Sequence, residues 1–229
     1  MDYDGTLASN GSVLPGTLTA LVRVRLAERK LILVTGRELA SLFDVMPQLG
    51  LFARVVAENG AVLYRPSSKA EVQLAAPSPA EFVKRLQAEN VQPLSIGRSV
   101  VATLRVHQET VLRIIQELGL DLQLSMNRES MMILPPGVNK GTGLEAALEE
   151  LAIGFPEVVG IGDAENDVAF LDRCGYSVAV GNALPMVKAI ADMVTRAAEG
   201  AGVVESVDRL LTKPAAAAIM RRKKQKQPC

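Results

Sequence analysis

The chain alternates short apolar runs with longer stretches of mixed polarity. LILVT (31–35) is apolar almost throughout and reads as a buried strand. A helical pattern precedes it from Thr17 to Glu28, with Leu18, Leu21, Val22 and Val24 to Leu26 clustered. A second helix is expected from Glu38 to Met46, stopping at Pro47. In RVVAENGAVLY (54–64), Asn59-Gly60 separates two strand-like runs and predicts a hairpin. After Pro135-Pro136-Gly137 the alternation resumes, with helices over 140–151, 166–173, 185–191 and 201–211. Between them VVGIG (158–162) and YSVAV (176–180) read as strands, and DMVT (192–195) as a strand end. Strands separated by helices predict parallel βαβ units in a doubly wound α/β sheet. The intervening 65–134 has a different texture, with strand-like runs at 72–75, 100–106, 122–126 and 131–134 and helices over 79–89 and 107–118. It is expected to form an α+β unit inserted into a discontinuous core made of 1–64 and 135–212, with 213–229 as a basic tail.

Composition narrows the classes. Hydrophobic residues make up 48% and charged residues 22%, which is ordinary globular usage and argues against a wholly disordered chain. No apolar run approaches the roughly 20 residues of a membrane span, and no basic-then-apolar leader opens the chain, so neither a membrane nor a secretory route is expected. Two distant cysteines, Cys174 and Cys229, exclude a disulfide scaffold and fit a cytoplasmic setting. With one histidine, His107, they make a zinc site hard to build. The net charge of zero hides an asymmetry: six basic and no acidic residues lie from Lys213 onward, leaving 1–212 at −6. An acidic body with 3% aromatics and no Trp does not suit nucleic acid. The RRKKQK run alone can contact nucleic acid or an anionic surface, and a solvated end is the simpler reading.

Four short patterns carry chemistry. In Asp2-Tyr3-Asp4-Gly5-Thr6, two carboxylates two residues apart at a turn can reach one point. One can attack phosphorus and the other can transfer a proton, given a cation to offset charge repulsion; a surface turn is the plain alternative. In Gly162-Asp163-Ala164-Glu165-Asn166-Asp167, after a strand, Asp163 and Asp167 lie four apart and suit Mg²⁺ at the carboxyl edge of a parallel sheet. Capping of a helix by Asp163 is the alternative. Thr35-Gly36-Arg37 follows LILV and offers a hydroxyl and a bare amide for phosphate oxygens, or a helix cap. Lys140 opens a helix, where a cation opposes the dipole unless something negative is near; an exposed lysine is the alternative. Either aspartate pattern alone arises by chance in roughly one such chain in a thousand at average residue usage. Both in one chain, each after or at a strand, make coincidence a poor account.

Together, Asp2-x-Asp4-Gly5-Thr6, Thr35, Lys140 and Gly162-Asp163-x-x-Asn166-Asp167 resemble, in order, the four motifs of the haloacid dehalogenase (HAD) superfamily. AENGA (57–61), PPGVNKG (135–141) and VAVGNALPMVKAIADMVT (178–195) are similar to its Cof-type branch, subclass IIB, which inserts an α/β cap between the second and third motifs. The resemblance implies a Mg²⁺-dependent phosphomonoesterase acting on a small phosphorylated metabolite, such as a sugar phosphate, through an aspartyl phosphate. It implies Asp2 as nucleophile and metal ligand, and Asp4 as general acid/base with its carbonyl on the metal. Thr35, Gly36, Lys140 and Asn166 are implied for the phosphoryl group, and Asp163 and Asp167 for the metal. Arg37, Glu58 and Asn59 near this edge, and Asn127 and Arg128 in the cap, are candidates for meeting the substrate. A phosphomutase of the same fold, or a silent phosphate-binding module, are the alternatives.

One feature departs from the family. Its nucleophile ends the central strand, whereas only Met1 precedes Asp2 here. The expectation is therefore a sheet lacking its first strand, with a natural chain that starts upstream and a stability deficit of several kcal/mol, at about 1.5–3 kcal/mol per unburied large apolar side chain.

Overall fold

The computed structural model describes residues 1–212; the basic tail lies outside the described residues. Helix α1 (Pro15–Leu26) starts with a proline at its first position, where a missing N–H is harmless. It leads to β1 (Ile32–Val34), which pairs in parallel with β2 (Arg54–Ala57) across α2 (Leu39–Val45). Strand β2 pairs antiparallel with β3 (Val62–Arg65), and β3 with β4 (Ala70–Gln73). Val34, Val55, Val56 and Ala57 are fully buried, which is why these short strands read as unbroken apolar runs. The β2–β3 connection forms a 3₁₀ turn at Glu58–Gly60, with Glu58 and Asn59 both left-handed. Gly60 is required there: its φ is +112°, and a Cβ would lie 2.1 Å from the main-chain oxygen of Asn139.

The inserted unit carries its own antiparallel sheet, in the order β5 (Ser95–Ile96), β6 (Val101–Leu104), β8 (Ser130–Leu134), β7 (Gln123–Asn127). Helices α3 (Ala80–Ala88) and α4 (Gln108–Glu117) cover it, and Phe82, Leu86, Val101, Val111, Ile114, Met131 and Ile133 form a separate small core. Strand β4 falls within the 65–134 stretch expected to be the insert, yet its pairing with β3 puts it in the core sheet. Its alternating burial, with Ala70 and Val72 half-buried and Glu71 and Gln73 exposed, is that of an edge strand.

The chain returns through α5 (Lys140–Leu151), capped by Asn139 accepting from the main-chain N–H of Gly141 and Thr142. Then β9 (Val159–Gly162), α6 (Val168–Leu171), β10 (Tyr176–Ala179), α7 (Pro185–Ile190) and β11 (Met193–Val194) form parallel units in the order β11-β10-β9. Helix α8 (Glu199–Thr212) closes the core against α1, with Arg23 bonded to Asp208 at 2.6 Å. The architecture is the doubly wound α/β core with an α+β insertion.

The core sheet is in two halves, β1–β4 and β9–β11, with no direct pairing between them. The gap is where the sequence expects an absent central strand. Met1 and Asp2 stand in it: Val34 N–H donates to the Met1 carbonyl at 2.9 Å, and Asp2 N–H donates to the Ile161 carbonyl at 3.0 Å. The Met1 α-amino group donates to Ile32 O at 2.9 Å, and burial lowers its pKa. It is thus turned into the β1 side.

Across the sheet, Glu150 of α5 takes Arg54 Nε at 2.6 Å and Arg65 through Nε and Nη2. The Arg65 and Arg54 hydrogen bonds hold its pKa down to about 2, against an ordinary 4.5. A depressed carboxylate contributes stability above its unfolded pKa and loses it as pH falls toward the folded one. Glu150→Gln is therefore expected to cost about 1 kcal/mol or less at neutral pH, because solvent screens the pair. The difference from wild type should vanish between pH 4.5 and about 2 in urea titrations.

Candidate active site

The site lies along the carboxyl edge of the parallel strands, where the main chain leaves β1, β2 and β9 and the Met1–Asp2 segment. Asp2 is 4% exposed and accepts from Lys140 Nζ at 2.6 Å. The same Nζ donates to Asp167 Oδ1 at 2.6 Å. Lys140 is 1% exposed, so the exposed-lysine reading is excluded. Burial works against its charge, but Asp167 and Asp2 outweigh it and hold the ammonium above its usual range. Asp167 Oδ2 accepts from the main-chain N–H of Asp163 at 2.8 Å and of Ala164 at 3.1 Å. Asp167, not Asp163, thus closes the turn, so the alternative reading of Asp163 as a helix cap does not hold. Asp163 instead accepts from Thr6 Oγ1 at 2.9 Å and from Arg128 Nη2 at 2.6 Å.

Carboxylate oxygens of Asp2, Asp163 and Asp167 lie within 4.8 Å of one another, all buried. Burial, then Asp167, pushes the Asp2 pKa up to about 8 despite Lys140. Asp163 is raised too, chiefly by burial and against the pull of Arg128. Three buried carboxylates face the Lys140 ammonium and, at Asp163, the Arg128 guanidinium, which leaves them one positive charge short when all are ionised. Hard oxygen donors in that number fit a divalent cation such as Mg²⁺. The Asp4 carboxylate is not part of this cluster: both its oxygens face Arg37, at 2.7 Å to Nε and 2.7 Å to Nη2. The Arg37 guanidinium also stands over the Tyr3 ring, 5.4 Å from its centroid.

A cavity of about 240 Å³ opens beside the cluster, between core and insert. Asp2, Asp4, Gly36, Arg37 and Glu58 line it from the core, and Asn127, Ser130 and Met132 from the insert. Thr35 is fully buried, accepts from Arg37 N–H at 3.1 Å and does not cap α2, whose first flank is Glu38.

Several candidates are placed differently from expectation. Asn166 directs its Nδ2 to Asn59 Oδ1 at 3.1 Å, and its buried Oδ1 has no partner among the described residues. One of its two amide hydrogens is thereby used, and Nδ2 stays close to Gly36, 3.9 Å from where a Cβ there would lie. Asn59 is fully buried and joins Asn166 to Ser125 of β7, at 3.1 Å, instead of facing the cavity. Glu58 borders the cavity, but its oxygens are occupied by main-chain amides of Arg98 and Ser99. Arg128 reaches past the cavity to Asp163 and the Asn182 carbonyl, while its own N–H donates to Glu165. Sequence reading assigned nothing to Thr6, Ser125 or Asn182. Asn182 donates to the Gly5 carbonyl at 2.7 Å and accepts from Glu199 N–H, bracing the Asp2–Thr6 turn. Its position just after β10, on the same sheet edge, was the available signal.

Fold and site together define a doubly wound α/β core with a buried carboxylate cluster beneath an inserted unit. The sequence matches the haloacid dehalogenase-like hydrolases over residues 1–93 and 103–207. The chain belongs to that family, and the Cof-type resemblance of its motifs stands. It is similar to a phosphoglycolate phosphatase of Methanothermobacter thermautotrophicus, 33% identical over 222 residues, 92% of this chain and 97% of the relative. It is also 32% identical to phosphoglycolate phosphatase 2 of Saccharolobus solfataricus, over 92% of this chain and 91% of the relative. A solved haloacid dehalogenase-like hydrolase from Bacteroides thetaiotaomicron superposes with a TM-score of 0.77 at 20% identity, covering 91% of this chain and 97% of that one, which supports the shared fold.

Proposed function

We propose that this HAD-type phosphatase is a Mg²⁺-dependent phosphomonoesterase for a small, anionic phosphorylated metabolite of the phosphoglycolate kind. The observation that carries the reading is the buried Asp2–Lys140–Asp167 arrangement, with Asp163 adjoining, at the mouth of a small cavity. Asp2, Asp163 and Asp167 would hold the cation, which would supply charge neutralisation between nucleophile and phosphate.

An Asp2 oxygen forms a bond to phosphorus as the ester P–O bond breaks, giving an aspartyl phosphate. Asp4 delivers a proton to the leaving oxygen and then takes one from the water that attacks phosphorus, releasing phosphate and regenerating Asp2. Lys140 orients Asp2 and favours its ionised form, against burial and the Asp167 charge. In the present geometry the Arg37 fork occupies both Asp4 oxygens. A substrate anion that engages Arg37 frees Asp4 for this work, which favours a leaving group with a carboxylate of its own.

Size points the same way. The cavity, at about 240 Å³, is below the roughly 300–1,000 Å³ usual for drug-sized ligands. The named activity of three relatives, 31–33% identical, supports a two-carbon acid over a hexose phosphate. Within the described residues no helix is long and apolar enough to cross a membrane.

Phosphate release from phosphoglycolate and from a panel of sugar phosphates, with Mg²⁺ and with EDTA, tests this. Metal-dependent turnover with the highest kcat/KM on phosphoglycolate is expected. Turnover that prefers hexose phosphates, or that survives EDTA, overturns the substrate or the metal half respectively.

A further inference from the structure

Glu58 is 2% exposed, and no arginine or lysine pairs with it among the described residues. Burying a carboxylate is unfavourable unless its oxygens are satisfied. Both are satisfied by main chain: Arg98 N–H donates to Oε1 at 3.1 Å and Ser99 N–H to Oε2 at 3.0 Å. These amides form the tip between β5 and β6 of the inserted unit, forty residues away in sequence.

The same tip is tied to the outgoing connection. Fully buried Ser99 donates its hydroxyl to the Ala75 carbonyl at 2.8 Å and accepts from Gln73 Nε2 at 2.9 Å. Its carbonyl accepts from Ser78 Oγ at 3.2 Å. Gly97 is needed for the approach itself, since a Cβ there would lie 2.6 Å from Glu58 Oε2. Next to Glu58, Asn59 links Ser125 of the insert to Asn166 in the Asp163–Asp167 loop.

We infer that Glu58 is a positioning residue, the post that seats the inserted unit on the core and so sets how Asn127 and Ser130 stand over the Asp2 cavity. Only the kinetic half of its test rests on the phosphatase reading above.

Glu58→Gln replaces one acceptor with a donor facing an N–H. Gly97→Ala presses on the same contact and leaves every core side chain intact, so it carries the test if Glu58→Gln does not fold. With nitroxide labels at Val106 of the insert and Leu26 of the core, both highly exposed, in a Cys229→Ser background, pulsed EPR reads their separation. Wild type is expected to give one narrow distribution, and both variants a broader or longer one. On a substrate the wild type turns over, KM should rise about tenfold, the loss of a charge-assisted hydrogen bond, with kcat changed less than about twofold.

A folded variant with the wild-type distance distribution overturns the inference. So does a broadened distribution with unchanged KM, which would make Glu58 merely structural. Absence of turnover on every substrate, in wild type as well, counts against the phosphatase reading alone, and the distance measurement still decides the role of Glu58.

Discussion

Asp2→Asn is expected to abolish turnover, lowering kcat by about 10⁴-fold or more, because in the proposed mechanism it removes the oxygen that would bond to phosphorus. The substitution is nearly isosteric and leaves Lys140 its second partner, Asp167 at 2.6 Å. It also removes one of three clustered buried carboxylates, the one whose pKa burial, then Asp167, pushes up to about 8. Thermal stability without metal should therefore hold or rise while activity disappears. That opposite movement separates a chemical role from a structural one. Phosphate release in single-turnover assays is the measurement, and residual turnover within tenfold of wild type would remove Asp2 from the role of nucleophile.

Lys140→Met is expected to be the most destabilising single change in the site. Its ammonium is the direct counter-charge of both Asp2 and Asp167, and all three groups are buried. Breaking a buried pair by deleting one partner costs about 3–5 kcal/mol, since the remaining charge is left uncompensated. Against a net domain stability of roughly 5–15 kcal/mol, that is a large fraction. The urea midpoint should fall accordingly, and millimolar Mg²⁺ should restore part of it by supplying charge to the same oxygens. A midpoint equal to wild type would mean that Asp2 and Asp167 shed their charge at little cost.

Much of this arrangement was legible from the chain because its residues sit at strand ends. Parallel strands bring their carboxyl ends to one edge, so motifs after 31–35 and 158–162 had to be neighbours once the α/β alternation was read. Lys140 was legible through an electrostatic oddity, a cation at a helix start, and the structure supplies the two carboxylates that explain it.

What escaped reading has a common cause. Glu58 is held by the amides of Arg98 and Ser99, and a main-chain N–H leaves no mark in the sequence. Asn59 was placed near the substrate by its position at the sheet edge, but it is buried and its amide is spent on Ser125 and Asn166, which only tertiary placement decides. Arg128 was read as facing a leaving group because it lies on a hairpin tip, yet the tip reaches Asp163 itself. Strand β5 has two residues, too few to show any period. Strand β4 was read with the insert because its half-polar pattern does not say which sheet it edges.

The seam in the core sheet has a consequence for ligand response. The β1–β4 and β9–β11 halves are bridged through the backbone of Met1 and Asp2, and the Asp2 side chain reaches Lys140 beside that seam. A ligand that gathers Asp2, Asp163 and Asp167 therefore also staples the two halves of the sheet. The seam of the sheet and the carboxylate cluster thus share one segment, and a ligand held there would bear on how the two halves stay joined.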